Sequence, residues 1–216
     1  MRAVAFDMDG LMFDTESVYW KSAAALLGRR GYEYTEELCA AVMGRPPQFC
    51  FEFFKETFSL KESWQELQNE SEELFLDFLN EGFSTMPGLF ELLEFLEIHE
   101  IPKCICTSSS LRVVNAVLSK YDFANRFKFV LTAKDIVKGK PEPEIYLRAA
   151  TKLEIIPSKL LVLEDSTAGC LAADKAGAFP VIVIAEHNKN GNFQKAKLIV
   201  NSLNDPKIKK LLVGNL

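Results

Sequence analysis

Apolar residues along this chain fall into two patterns. Five short continuous runs, Ala3 to Phe6, Lys103 to Cys106, Phe127 to Leu131, Leu160 to Leu163 and Val181 to Ile184, end at polar or turn residues, and Leu198 to Val200 forms a weaker sixth. Runs of that kind read as parallel strands buried on both faces. Between them, Leu89 to Ile98, Leu111 to Lys120, Glu144 to Lys152 and Ala168 to Ala176 carry apolar positions at three and four spacing and are long enough to serve as crossover helices. Pro87 and Gly88 open the first of them, the serines at 108–110 supply a cap for the second, and Gly177 ends the last. Strands alternating with crossovers predict an α/β fold, a doubly wound parallel sheet of Rossmann-like layout.

The stretch between the first strand and the helix at Leu89 is far longer than a crossover needs. Within it Glu16 to Gly28, Glu36 to Met43, Phe49 to Phe58 and Glu62 to Leu79 repeat the helical spacing, broken at Gly31, at Gly44 with Pro46 and Pro47, and near Ser59. The expectation is an inserted helical cap over 15–81, placed above the end of the first strand, with 1–14 and 82–216 forming the α/β core. Phe49, Phe51, Phe53, Phe54 and Phe58 are expected to pack the centre of that bundle. Gly82 and Gly88 around Pro87 mark the return hinge, so the insertion can move as a lid.

Length and composition agree with one core and one modest insertion: 216 residues, 48% hydrophobic and 25% charged. A formal charge of −5 argues against a surface that grips a phosphodiester backbone, and no nucleic-acid partner is expected. No apolar run approaches the roughly 20 residues that span a bilayer. Asp7, Asp9 and Asp14 also stand where a signal peptide needs an uncharged stretch, so a cytoplasmic monomer without a membrane partner is expected. Five scattered cysteines lacking C-x-x-C spacing indicate neither a disulfide frame nor a zinc knuckle.

In an open α/β sheet, ligands bind beyond the carboxyl ends of the strands. The polar residues found there are Asp7-Met8-Asp9-Gly10, Thr107-Ser108-Ser109, Gly139-Lys140-Pro141 and Glu164-Asp165-Ser166. Four carboxylates meeting in a partly desolvated cleft need more positive charge than Lys140 supplies, which implies a metal ion. Oxygen donors alone favour magnesium, with Asp7, Asp165 and the Asp9 carbonyl as ligands and Glu164 supporting. Asp7 then has the role of a nucleophile toward a phosphoryl group, with Lys140 and the hydroxyls of Thr107 or Ser108 neutralising its oxygens. Asp9, past a turn that Gly10 permits, is placed to protonate the leaving oxygen and later to deprotonate water. His99, at a helix end, and His187, in a polar loop, stand apart and read as solvated.

The strings DMDGLMFDT at Asp7 to Thr15, TSS at Thr107 to Ser109, KPEP at Lys140 to Pro143 and EDS at Glu164 to Ser166 resemble, in order, the motifs of the haloacid dehalogenase-like hydrolases. The resemblance spans essentially the whole chain, and the insertion is similar to the helical cap of that superfamily's subgroup I. It implies magnesium-dependent phosphoryl transfer through an aspartyl phosphate, and Asp9 separates the chain from the dehalogenase branch, which lacks that second aspartate. Within the superfamily the chain looks like the β-phosphoglucomutase-like phosphatases, whose cap loop is matched by Gly44-Arg45, with Arg45 a candidate substrate-binding residue. Tyr19 stands where a true mutase of that kind carries a hinge histidine, so a phosphatase acting on a small phosphorylated metabolite is expected over a mutase. A phospho-accepting receiver is the competing class, and it lacks both the insertion and the split acidic pair.

Overall fold

The computed structural model describes every residue except Gly44, Asp122, Ala124, Asn215 and Leu216. Among the described residues, six strands form one parallel sheet: β1 (Ala3–Phe6), β2 (Lys103–Cys106), β3 (Val130–Leu131), β4 (Leu160–Glu164), β5 (Phe179–Val183) and β6 (Leu198–Val200). Their order is β3-β2-β1-β4-β5-β6, so the chain reverses direction across the sheet between β1 and β4. That reversal opens a crevice at the carboxyl ends of those two strands.

Alternation along the strands sorts side chains by size. Val4 and Phe6 join Ile105, Leu161 and Leu163 in a bulky core beneath α5 (Leu89–Ile98) and α6 (Leu111–Ser119). Ala3 and Ala5 turn the other way, where Cys104, Cys106 and Val162 meet Tyr146, Ala149, Ala172 and Ala173 of α7 (Glu144–Lys152) and α8 (Thr167–Lys175). Small residues on both sides of that second layer let its helices approach the sheet closely.

Four helices lie between β1 and α5: α1 (Glu16–Gly28), α2 (Glu36–Val42), α3 (Pro47–Phe58) and α4 (Trp64–Leu79). Leu26 of α1 packs on Leu67 and Leu74 of α4, and Leu27 packs with Tyr34 and Phe54. Ser63 accepts from Glu66 N while the Glu66 carboxylate accepts from Ser63 N, a reciprocal cap that starts α4 two residues after the predicted Glu62. Of the five phenylalanines expected inside this bundle, Phe54 is buried but Phe49 is 40% exposed, its ring lying parallel to that of Phe53. The third predicted strand shrinks to Val130–Leu131, and Phe127, outside it, packs edge-on against Phe6. A C-terminal helix, α9 (Pro206–Val213), was not anticipated; Pro206 at its start and the Asp205 cap explain its onset. Among the described residues, no helix is long and apolar enough to cross a membrane.

Candidate active site

Register decides which acids meet. Phe6 on β1 pairs with Leu163 on β4, so Asp7, just past β1, comes level with Glu164, the last residue of β4. The chain then turns at Gly10, whose φ of +74° is unfavourable for residues with a Cβ. Space imposes a second demand there: a Cβ on Gly10 would sit 2.2 Å from Asp165 Oδ2 and 2.9 Å from His187 Nε2. Glycine lets this turn lie directly against the Asp165 carboxylate.

Lys140 is buried, and its ammonium donates to Asp7 Oδ1, to Glu164 Oε1 at 2.6 Å and to the Cys106 carbonyl at 3.1 Å. Burial disfavours the charged ammonium, yet Asp7 and Glu164 outweigh it and hold Lys140 protonated. Glu164 is fully occupied: Oε1 also accepts from Tyr146 OH at 2.7 Å, while Oε2 accepts from the Asp165 and Ser166 amides and from Ser166 Oγ. Burial pushes its carboxyl up, but Lys140 and these hydrogen bonds bring it below the usual range.

Asp9 is held by hydroxyls. Thr15 Oγ1 donates to its Oδ1 at 2.8 Å, and Ser109 Oγ and Thr107 Oγ1 donate to its Oδ2 at 2.6 and 3.3 Å. Burial raises the Asp9 carboxyl in spite of these bonds. Ser109 Oγ also lies 2.8 Å from Tyr19 OH, so Tyr19, on the first helix, is joined to Asp9 through one serine. The three serines divide their work: Ser108 lines the cleft, Ser109 reaches Asp9, and Ser110 caps α6 by accepting from Val113 N.

Asp165 Oδ2 lies 2.8 Å from His187 Nε2, and the Asn188 amide donates to both the Asp165 and Val183 carbonyls at 2.9 Å. The histidine expected in solvent is therefore drawn into the site by the turn that follows β5. Asp7, Glu164 and Asp165 each offer an oxygen within 4.8 Å of the others. Burial and the surrounding carboxylates push Asp7 and Asp165 well above the ordinary range, opposed by Lys140 and, at Asp165, by a backbone hydrogen bond as well. An all-oxygen donor set short of positive charge suits a hard divalent cation. Both Glu164 oxygens are already bonded, whereas Asp7 and Asp165 each keep one oxygen outside the bonds described.

Above these groups a cleft of about 200 Å³ runs between the sheet edge and α1–α4. Glu16 and Arg45 line it; Gly44, read with Arg45 as one cap loop, lies outside the described residues. Burial, with Asp165 nearby, pushes the Glu16 carboxyl up to about 8. The exposed Arg45 guanidinium sits 4.6 Å from the Phe49 ring centroid. The loop beyond Arg45 leans on the segment carrying Lys140, where a Cβ on Gly139 would come within 2.7 Å of Pro46 Cγ.

The family profile described as haloacid dehalogenase-like hydrolase matches residues 4–183. A phosphorylated carbohydrates phosphatase of Thermotoga maritima is 33% identical over 181 residues, 82% of this chain and 82% of that one. A probable pseudouridine-5'-phosphatase of Drosophila melanogaster is 33% identical over 184 residues, 82% of this chain and 79% of the relative. Among solved structures, a putative β-phosphoglucomutase from Thermotoga maritima superposes with a TM-score of 0.77 at 30% identity, over 98% of this chain and 100% of that one.

Proposed function

The chain belongs to the haloacid dehalogenase-like hydrolase family and is a phosphatase, and from that premise we propose that it hydrolyses a small phosphorylated metabolite, a sugar phosphate or a near relative, through an aspartyl phosphate on Asp7 with magnesium as cofactor. The observation that carries this reading is the Lys140 ammonium shared by Asp7 and Glu164 beside Asp165, a charge arrangement that orients one carboxylate at the mouth of a cleft.

Asp7 attacks phosphorus in line; its oxygen bonds to phosphorus as the bond to the leaving alcohol breaks. Asp9 gives its proton to the departing oxygen, a task suited to a carboxyl raised by burial. In the second half Asp9 takes a proton from water as that water attacks phosphorus, and Asp7 leaves as a carboxylate with inorganic phosphate as product. When bound, magnesium supplies positive charge to the non-bridging oxygens, held by Asp7, Asp165 and the Asp9 carbonyl. Ser108 donates to the same oxygens, as does Thr107 once its hydroxyl turns from Asp9, and Arg45 meets the substrate from the cap loop. Glu164 is given a positioning role through Lys140 in place of the ligand role expected for it, since its oxygens have no vacancy. Residues 15–81 act as a cap over the 1–14 and 82–216 core, and the Pro46 contact at Gly139 is where the lid bears on the core to exclude water.

Hydrolysis is favoured over mutase chemistry because Tyr19, in the place of the hinge histidine, bonds Ser109 and offers no imidazole. Family membership sets the receiver class aside. The test is phosphate release from a panel of sugar, glycerol and nucleoside phosphates, with and without magnesium, for the wild type and Asp7→Asn. Magnesium-dependent release that disappears in the variant is expected; full activity of Asp7→Asn would refute the nucleophile.

A further inference from the structure

Away from Asp7 the cleft changes character. Its cap-side walls are Trp20, Tyr34, Val42, Met43, Phe51 and Phe54, a predominantly apolar and aromatic surface drawn from α1, α2, α3 and the connections on either side of α2. Several polar groups lining the same space are already partnered. Gln68 Nε2 donates to Glu72 Oε1 at 2.7 Å, Ser22 Oγ donates to the Tyr19 carbonyl at 3.0 Å, and Tyr19 OH is engaged by Ser109. A leaving group bearing many hydroxyls would surrender water here without replacement, at a cost for each unpaired group. Glu16, Arg45, Ser71 and the second oxygen of Glu72 supply polar contacts enough for a short linking unit such as one sugar ring.

Trp20 is the second observation. Its neighbours Val18, Leu26 and Leu27 on the same helix are buried, whereas the indole stays 38% exposed, tilted against Tyr34 at a centroid distance of 4.9 Å. A partly exposed indole in the wall of the cleft that also holds Asp7 and Lys140 offers a stacking platform. Resting on the phosphatase reading above, we propose that the leaving group carries a planar heterocycle, as in a nucleoside 5′-monophosphate, and that Trp20 is the specificity-determining residue that stacks on it. The phosphate end lies at Asp7 and Lys140, a pentose spans Glu16 and Ser71, and the ring enters between Trp20 and Phe51.

The experiment compares ribose 5-phosphate with uridine and adenosine 5′-monophosphates, which add a ring to the same phosphorylated sugar. The chain has two tryptophans, so Trp64→Phe in an Asp7→Asn background leaves Trp20 as the sole indole reporter and stops turnover. At least one nucleotide should quench that fluorescence and bind roughly 5- to 150-fold more tightly than ribose 5-phosphate, the range of base–aromatic stacking. Titration calorimetry, which needs no indole, reads the Trp20 variants in the Asp7→Asn background: Trp20→Ala should erase that ratio and Trp20→Phe should retain part of it, and the kcat/KM ratio of the wild type supplies the same comparison without any substitution. Equal binding of all three compounds with unchanged fluorescence, in a protein whose wild type hydrolyses ribose 5-phosphate, overturns the inference and leaves the phosphatase intact. Failure of the wild type to release phosphate from any ester would instead remove the premise, and the inference with it.

Discussion

Replacing Glu164 by glutamine keeps the size of a fully buried side chain and removes one charge from a closed set of hydrogen bonds. One carboxylate oxygen accepts from Lys140 at 2.6 Å and Tyr146 at 2.7 Å; the other accepts from two amides and the Ser166 hydroxyl. Every one of these partners is a donor, so an amide nitrogen turned to either side faces donors and at least two bonds are lost. Hydrogen bonds to charged groups contribute about 1.5–3 kcal/mol each, and breaking a buried ion pair by removing one partner costs about 3–5 kcal/mol. The two routes converge on roughly 3–6 kcal/mol. For a chain of this length, about 2–4 °C is lost per kcal/mol, so the melting temperature should fall by roughly 6–24 °C. Calorimetry at pH 7 reads it directly, and a shift below about 2 °C would refute the reasoning. Since the folded carboxyl is held below its ordinary value of 4.5, its contribution is present above that pH and lost as pH falls through the folded value. The gap between wild type and Glu164→Gln should therefore narrow in acid.

Asp9→Asn should lower kcat by about 10²- to 10⁴-fold with the fold intact, and an unchanged rate would remove Asp9 from proton transfer. His187→Ala releases the Asp165 side chain from its imidazole partner and should weaken magnesium binding by roughly 10- to 100-fold, read by titration calorimetry on the metal-free protein; equal affinities would make the contact incidental. Burial raises Glu16 to about 8, so between its ordinary value of 4.5 and about 8 the unfolded chain ionises while the folded carboxyl stays protonated, and stability falls as pH rises through that window. In the presence of a chelator, Glu16→Gln should flatten this part of the melting-temperature profile, and parallel profiles would contradict the assignment.

The alternation of strands and crossovers, and the acids at the strand ends, could be read directly because both are local. A parallel strand buried on two faces must be an apolar run, and a helix packing on it must show three and four spacing; the predicted and observed bounds of Lys103–Cys106, Leu89–Ile98 and Glu144–Lys152 coincide. Asp7 and Asp165 followed from the rule that ligands sit beyond carboxyl ends. Partnership was not local. Lys140 and Asp7 are 133 residues apart, Ser109 and Asp9 100, and His187 and Asp165 22. The lengths of β4 and β5 and the turn after each determine which side chains share a hydrogen bond, and no periodicity encodes that. The tertiary structure therefore turned Glu164 from a supporting acid toward Lys140, brought His187 out of solvent, and placed Phe49 on a surface while Trp20 faced the cleft. A strand's residue types record only whether it is buried, whereas the neighbour at each atom depends on how remote segments come into register.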